Sequence, residues 1–324
     1  MELSKKKQHN IALVMLSCTA VIWGFGFILN KLLLEKHGFG SIPLTLNALR
    51  FSVAAVTMLA IFGRKIRLNK YLLLYGVLGG LFLSFGFGLQ TLGLNYTTPS
   101  SNGFFTAAYV LFVPFVTWIV CKRRPSTISL VGVVCALVGL TVLNVPTGNA
   151  EHGSNELLGN MLTLAGTLFF AAQIVATDKA LHDHKLSPTD ITVLQITFCA
   201  VFTVLAALVF EAKQYETVQI DFTNCWWQLA IIGLLGTSFA YFSQTYGQTH
   251  LNSTETAIIL ACESPLGAIL SISLAMEQFR WQVLVGGLFM LGAVFIMEIL
   301  PTIAKKRSKT VEECAEEHKP TENK

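Results

Sequence analysis

Residues 76–91 read GVLGGLFLSFGFGLQT and residues 230–245 read AIIGLLGTSFAYFSQT. Laid over one another without a gap, at an offset of 154, they pair Gly79 with Gly233, Ser84 with Ser238, Phe85 with Phe239 and Thr91 with Thr245. The same offset continues through Gly93 and Gly247, Val131 and Val285, Gly132 and Gly286, and Leu137 and Leu291. Upstream the offset is 145 and pairs Ala20 with Ala165, Pro43 with Pro188 and Leu49 with Leu194, so the second half carries nine extra residues near Lys213 to Trp227. Shared glycines, a shared proline and a single loop insertion read as the duplication of one unit.

Each unit holds five apolar runs, at about 11–34, 41–62, 71–91, 99–121 and 127–146, then 156–178, 188–210, 226–247, 254–276 and 281–303. Hydrocarbon offers no partner to an open backbone, so runs of this length are helical, and about 20 residues at ~1.5 Å each cross a core of roughly 30 Å. Only 13% of residues are charged, against ~25% in soluble domains, and the mean hydropathy is +0.58. Runs such as Ile128 to Val145 are apolar around nearly their whole circumference, which excludes a soluble helical bundle with a polar outer stripe. The fold expected is an all-α integral membrane protein of ten transmembrane helices. Because five is odd, the second unit enters from the opposite face, which makes two inverted five-helix repeats around a central cavity. Residues 1–148 form the first repeat, 149–303 the second, and 304–324, rich in Glu and Lys, a disordered cytoplasmic tail.

Lys5, Lys6 and Lys7 precede a first run too long for the core of a signal peptide. Of the 23 Lys and Arg, 18 fall on one side of the expected bundle, four (Lys31, Lys36, Lys213 and Arg280) on the other, and Arg50 alone within a span. The basic side faces the cytoplasm, so both termini are expected there in a multi-pass protein of the inner (plasma) membrane. The net charge of +4 then meets anionic lipid headgroups, and no nucleic-acid partner is needed to explain it. The seven cysteines and seven histidines show no ligand spacing, His182 and His184 included, so neither metal nor other cofactor is expected. A Walker lysine in a Gly-rich loop and a His-Glu-x-x-His are both missing. That argues against an ATP-driven pump and against an enzyme. No feature of the chain sets an oligomeric state.

Polar groups at mid-depth are the candidates for function, since each is costly there unless paired or wetted. Arg50 in span two and Glu263 in span nine reach similar depths. They can pair with each other across the two halves, or face a substrate, the guanidinium taking a carboxylate or phosphate and the carboxylate an ammonium or a coupling proton. Arg50 can also snorkel towards local water. Tyr109 takes the place of Glu263 under the offset of 154, so the halves are not chemically equivalent. Trp23 and Tyr109 are the aromatic side chains expected at the cavity, out of a wider set with Phe27, Phe85, Trp118, Phe239 and Tyr246. Asn102 and Gln244, like Gln90, Gln173, Gln195 and Gln248, supply neutral contacts or join helices. Asp178 and Glu255, near the cytoplasmic ends of spans six and nine, are candidates for gating, and Glu263 for proton coupling. Pro114 and Pro265 lie inside spans four and nine, where kinks are expected beside the cavity.

Trp23-Gly24-Phe25-Gly26-Phe27 in span one, Arg50 after a Pro-led second span, Gly93-Leu94-Asn95-Tyr96-Thr97-Thr98 leading into span four, and Glu263-Ser264-Pro265 in span nine together resemble the EamA-type branch of the drug/metabolite transporter superfamily. The resemblance covers about 11–303, and departs from the commoner Glu-Pro pair by the intervening Ser264. It implies ten helices in two inverted units, a central cavity, and export of small metabolites such as amino acids, with a proton or substrate gradient as the drive. The expected function is a secondary transporter, an exporter of a small amphipathic metabolite, an amino acid or related carboxylate, working by alternating access. Its partners are that small-molecule substrate and membrane lipid. The competing readings are a membrane enzyme acting on a lipid-linked phosphate, with Arg50 as clamp, and a lipid flippase.

Overall fold

A computed structural model describes residues 2–122, 124, 127–143, 145, 155–251, 256 and 259–296. The tail at 304–324, the loop around Gly148 and Glu255 lie outside the described residues.

Among the described residues every element is helical. Helix α1 is Glu2–Lys36 and α2 is Pro43–Phe62. Pro43 begins α2, where a missing N–H costs nothing. Helix α3 is Lys70–Tyr96, and the side chain of its N-cap Asn69 accepts from the amide of Leu72. Helices α4 (Pro99–Ala107) and α5 (Tyr109–Cys121) form one span broken at Ala108. Helices α6 (Thr127–Leu143), α7 (Asn155–His182) and α8 (Pro188–Phe210) follow. Helix α9 (Phe222–Gly233) runs through a π turn at Leu234–Phe239 into α10 (Ala240–His250) as a single span. Helices α11 (Glu263–Ser273) and α12 (Trp281–Val294) complete the bundle.

Among the described residues seven spans are long and apolar enough to cross a membrane: Lys7–Lys36, Pro43–Lys65, Lys70–Tyr96, Pro99–Val120, Asn155–His182, Pro188–Phe210 and Phe222–His250. Three shorter apolar helices, Leu130–Leu143, Ile259–Ser273 and Trp281–Ala293, fall on the remaining expected runs. Large apolar side chains such as Val56, Ile61, Leu74, Leu137, Val209 and Leu288 stand exposed on the outside, as lipid-facing surfaces do.

The heaviest packing joins the two halves of the chain. Helix α3 lies against α7, and α1 against α10. Helix α3 lies against α8, and α2 against α9. Helices α4 and α5 lie against α7, and α1 against α11; α2 also meets α8, α4 meets α11 and α6 meets α12. Under the two sequence offsets each of these contacts is the counterpart of another or of itself. Glycines permit the closest crossings. A Cβ on Gly93 would stand 2.5 Å from the Gly159 carbonyl oxygen, and one on Gly159 would stand 2.6 Å from that of Gly93, so the α3 and α7 backbones touch directly.

The breaks in spans four and nine also correspond. At Ala108 the amide turns back to the Phe105 carbonyl (3.2 Å), and at Cys262, 154 residues later, to the Ile259 carbonyl (3.3 Å). Pro265 lies three residues after its break, whereas Pro114 lies six residues after Ala108, inside α5.

Candidate functional site

One cavity sits among α1, α2, α3, α4, α5, α7, the π-turn span and α11, with about 830 Å³ of empty space in it and in the open solvent before it. Its wall brings together all six side chains singled out as substrate-binding candidates: Trp23, Arg50, Asn102, Tyr109, Gln244 and Glu263. Each is buried or nearly so within the protein. Of the wider aromatic set, Phe27 also lines the cavity, while Phe85 and Trp118 stand half-exposed on the outside.

The seat of Arg50 is built by the π turn. That turn carries one residue too many per step, so its side chains bond five residues back: the Thr237 hydroxyl donates to the Ile232 carbonyl (2.8 Å) and the Ser238 hydroxyl to that of Gly233 (3.2 Å). With its proton spent on Ile232, the Thr237 oxygen accepts from Arg50 Nε at 2.6 Å. The Gly236 carbonyl accepts from Arg50 Nη2 (3.0 Å) and from Trp23 Nε1 (2.9 Å). The guanidinium lies 4.5 Å from the centre of the Phe87 ring and 5.6 Å from that of Phe51. Arg50 is thus locked by neutral partners. Among the described residues no ion pair joins it to Glu263, and Nη1 makes no hydrogen bond to the protein.

Glu263 begins α11, on the far side of the break at Cys262. The neighbouring Ser264 donates from its hydroxyl to the Gly103 carbonyl at 2.9 Å, tying α11 to α4. Gln90 reaches Thr106 (2.8 Å), and Gln173 reaches Gln195 (2.9 Å). Gln90 and Gln173 thereby join helices while also lining the cavity. Phe87, Tyr241 and Asn30 are wall residues that sequence reasoning missed. The repeat held a signal for two of them. At the offset of 154 Phe87 falls on Tyr241, Gln90 on Gln244 and Tyr109 on Glu263, and all six line this one cavity.

Asp178 lies outside the cavity wall, half-exposed, 3.2 Å from His182 one turn along α7. Stronger polar ties are at the opposite end of the bundle, where α1 finishes. Arg280 donates to both oxygens of Glu156 (2.9 and 3.2 Å), Glu277 accepts from the amide and hydroxyl of Ser100, and Thr97 donates to Asn160 at 2.7 Å. Glu211 accepts from the first amides of α2, those of Leu44 (2.7 Å) and Thr45 (2.8 Å), and so caps that helix from a distance. Lys31, expected at the water boundary, is instead buried, donating to the carbonyls of Leu94 and Thr97 at 2.9 Å each at the end of α3. The Arg280–Glu156 ion pair and the close approach of His37 to Asp221 (3.8 Å) are both at this end.

The EamA-like transporter family matches residues 10–145 and, separately, residues 157–299. The chain belongs to the EamA-like transporter family. An "uncharacterized transporter" of Archaeoglobus fulgidus is 28% identical over 292 residues, covering 88% of this chain and 84% of that protein. A solved crystal structure of a protein with 15% sequence identity superposes with a TM-score of 0.64, over 90% of this chain and 97% of its own, and so shares the fold. An EamA-like protein is a multi-pass membrane transporter of small molecules rather than an enzyme, which sets aside the enzyme acting on a lipid-linked phosphate.

Proposed function

We propose that this EamA-like transporter is a secondary carrier that exports a small amphipathic metabolite bearing a carboxylate, an amino acid or a related acid. The observation that carries the proposal is the seat of Arg50. A guanidinium buried at mid-depth is held in place by a hydroxyl, a carbonyl and two aromatic rings, and no carboxylate lies within ion-pair reach among the described residues. A fixed, uncompensated cation with one terminal nitrogen to spare is suited to an anion that arrives and leaves. The aromatic wall of Trp23, Phe87, Phe170 and Tyr241 takes the apolar part.

Alternating access between two inverted five-helix repeats, 1–148 and 149–303, is the mechanism we infer. It is supported by the double match of one family, by contacts that pair up under the offsets, and by a cavity lined with three pairs of corresponding residues. The corresponding breaks at Ala108 and Cys262 supply bending points beside that cavity. In this reading both termini are cytoplasmic, the protein lies in the inner membrane, the end bearing Arg280–Glu156 faces outward, and Glu263 carries a coupling proton.

The test uses proteoliposomes loaded in turn with amino acids and with simple carboxylates. Wild type moves at least one carboxylate-bearing solute down its gradient, and Arg50→Gln lowers that flux by about tenfold or more at equal protein content. Equal flux through both proteins overturns the assignment.

A further inference from the structure

Two buried carbonyl oxygens on the cavity wall have no partner among the described residues: Oδ1 of Asn30 and Oδ1 of Asn102. Their orientation follows from which neighbours can only accept. Asn30 faces the Gly26 carbonyl at 2.7 Å, so the amide nitrogen must lie on that side. Asn102 faces the Gln90 carbonyl at 3.1 Å and the Thr163 hydroxyl at 2.7 Å. Thr163 spends its single proton on the Gly159 carbonyl (2.9 Å), so it too must accept from Asn102. Both amide groups are therefore committed, and both oxygens are left bare. Asn30 is 8% exposed and Asn102 fully buried. An acceptor buried without a donor is destabilising and uncommon in a native interior.

The two residues lie on helices that pack together at the cavity. A Cβ placed on Gly103 would be 3.4 Å from Phe27 and 3.7 Å from the Cα of Ser264, and one on Gly24 would be 3.0 Å from the Glu263 carbonyl oxygen, so α1, α4 and α11 close on each other. Asn30 lies three residues beyond Phe27 on the same face of α1, and Asn30, Asn102 and Glu263, one from each of these helices, all line the cavity. Here the wall offers acceptors. The one Lys or Arg among its lining residues is Arg50, seated on the π turn. Lys31, next to Asn30 in sequence, has its ammonium bound to Leu94, Thr97 and Glu35.

We infer that Asn30, Asn102 and Glu263 form a subsite for a protonated primary amine on the substrate. An ammonium brings three N–H donors and one positive charge, which matches two carbonyl oxygens and one carboxylate. This rests on the reading of Arg50 as the seat of a carboxylate, since it makes the substrate one that carries both groups. Asn30 and Asn102 then set specificity, by favouring an amino acid over the same acid without its amine.

The test is binding to purified full-length protein, by calorimetry, of two series: L-leucine, 2-hydroxy-4-methylpentanoate and 4-methylpentanoate, and the corresponding phenylalanine set. Wild type should bind the amine-bearing member of at least one series about tenfold or more tighter than either analogue. In Asn30→Leu, which removes the bare oxygen at similar side-chain size, that ratio should fall towards one. Acids that bind as well as their amines, or a hydroxyl that serves as well as the amine, overturn the subsite and leave the carboxylate reading standing. If no member of either series binds, both readings fall. A ratio unchanged in a folded Asn30→Leu also overturns the subsite, and if that variant does not fold, the wild-type ratio decides.

Discussion

Arg50 and Glu263 were legible because a charge inside an apolar run is conspicuous, whereas Phe87 and Tyr241 were hidden among 23 Phe and seven Tyr. An aromatic ring suits lipid and cavity equally, so only packing separates the two. The geometry also says why position 50 holds an arginine. Nε and Nη2 point to two acceptors at once while the planar group lies on Phe87, and a lysine ammonium cannot reproduce that fork. Arg50→Lys should therefore lose flux nearly as Arg50→Gln does, by roughly tenfold, with abundant folded protein. Wild-type flux in Arg50→Lys would reduce the requirement to charge alone. Glu263→Gln tests coupling. Transport driven by an imposed pH gradient should stop in this variant, while exchange of labelled for unlabelled substrate persists at weakened substrate affinity, because the amide keeps an acceptor for the ammonium but not the charge. A wild type that responds only to a substrate gradient is a facilitator, and the proton then has no place.

At the scale of elements, three departures from regular helix lie at the cavity: the π turn and the breaks at Ala108 and Cys262. The π turn was invisible in sequence because no residue type announces it; it exists where the hydroxyls of Thr237 and Ser238 take up the displaced carbonyls and the turn meets Arg50. The prolines signalled that spans four and nine bend, but the break in span four is at Ala108, so the proline marks the span rather than the place. Glycines separate into two kinds that sequence treats alike. Gly93 has no room for a methyl group, because the Gly159 backbone fills the space, while Gly26 has nothing within 4 Å and lines the cavity. Gly93→Ala should cost about 1–3 kcal/mol by forcing α3 from α7, visible as a lower melting temperature. Gly26→Ala should melt like wild type. A Gly93→Ala protein of wild-type stability would show that the crossing yields.

Among the described residues the molecule has its Arg280–Glu156 ion pair at one end and a cavity near its middle. If that end is the outer gate, it must open once per cycle. Cysteines introduced as Glu156→Cys and Arg280→Cys should stop transport when oxidised to a disulfide and release it on reduction. Flux that persists through the cross-linked protein would move the gate elsewhere. The orientation has its own check. Cysteines placed near Gly148 and Asn155 should react with an impermeant reagent from outside the cell, and those near Arg67, Arg123 or His184 should not. The reverse pattern would invert the topology.

Sequence alone determined the class of the molecule, since hydrocarbon leaves long apolar runs no alternative to helix, and gaps in a repeat can be read without any packing. It also marked the two charges whose burial demands a purpose. Which aromatic rings turn inward, that Arg50 and Glu263 line one cavity without pairing, that Lys31 closes a helix end, and that Asn30 and Asn102 keep bare oxygens were decided only in three dimensions. Apart from Asn30, whose amide is held by Gly26 in its own helix, these depend on partners from other helices: the carbonyl of Gly236, those of Leu94 and Thr97, the hydroxyl of Thr163. Such partners lie tens to hundreds of positions away in the chain, where spacing along the sequence carries no information about distance.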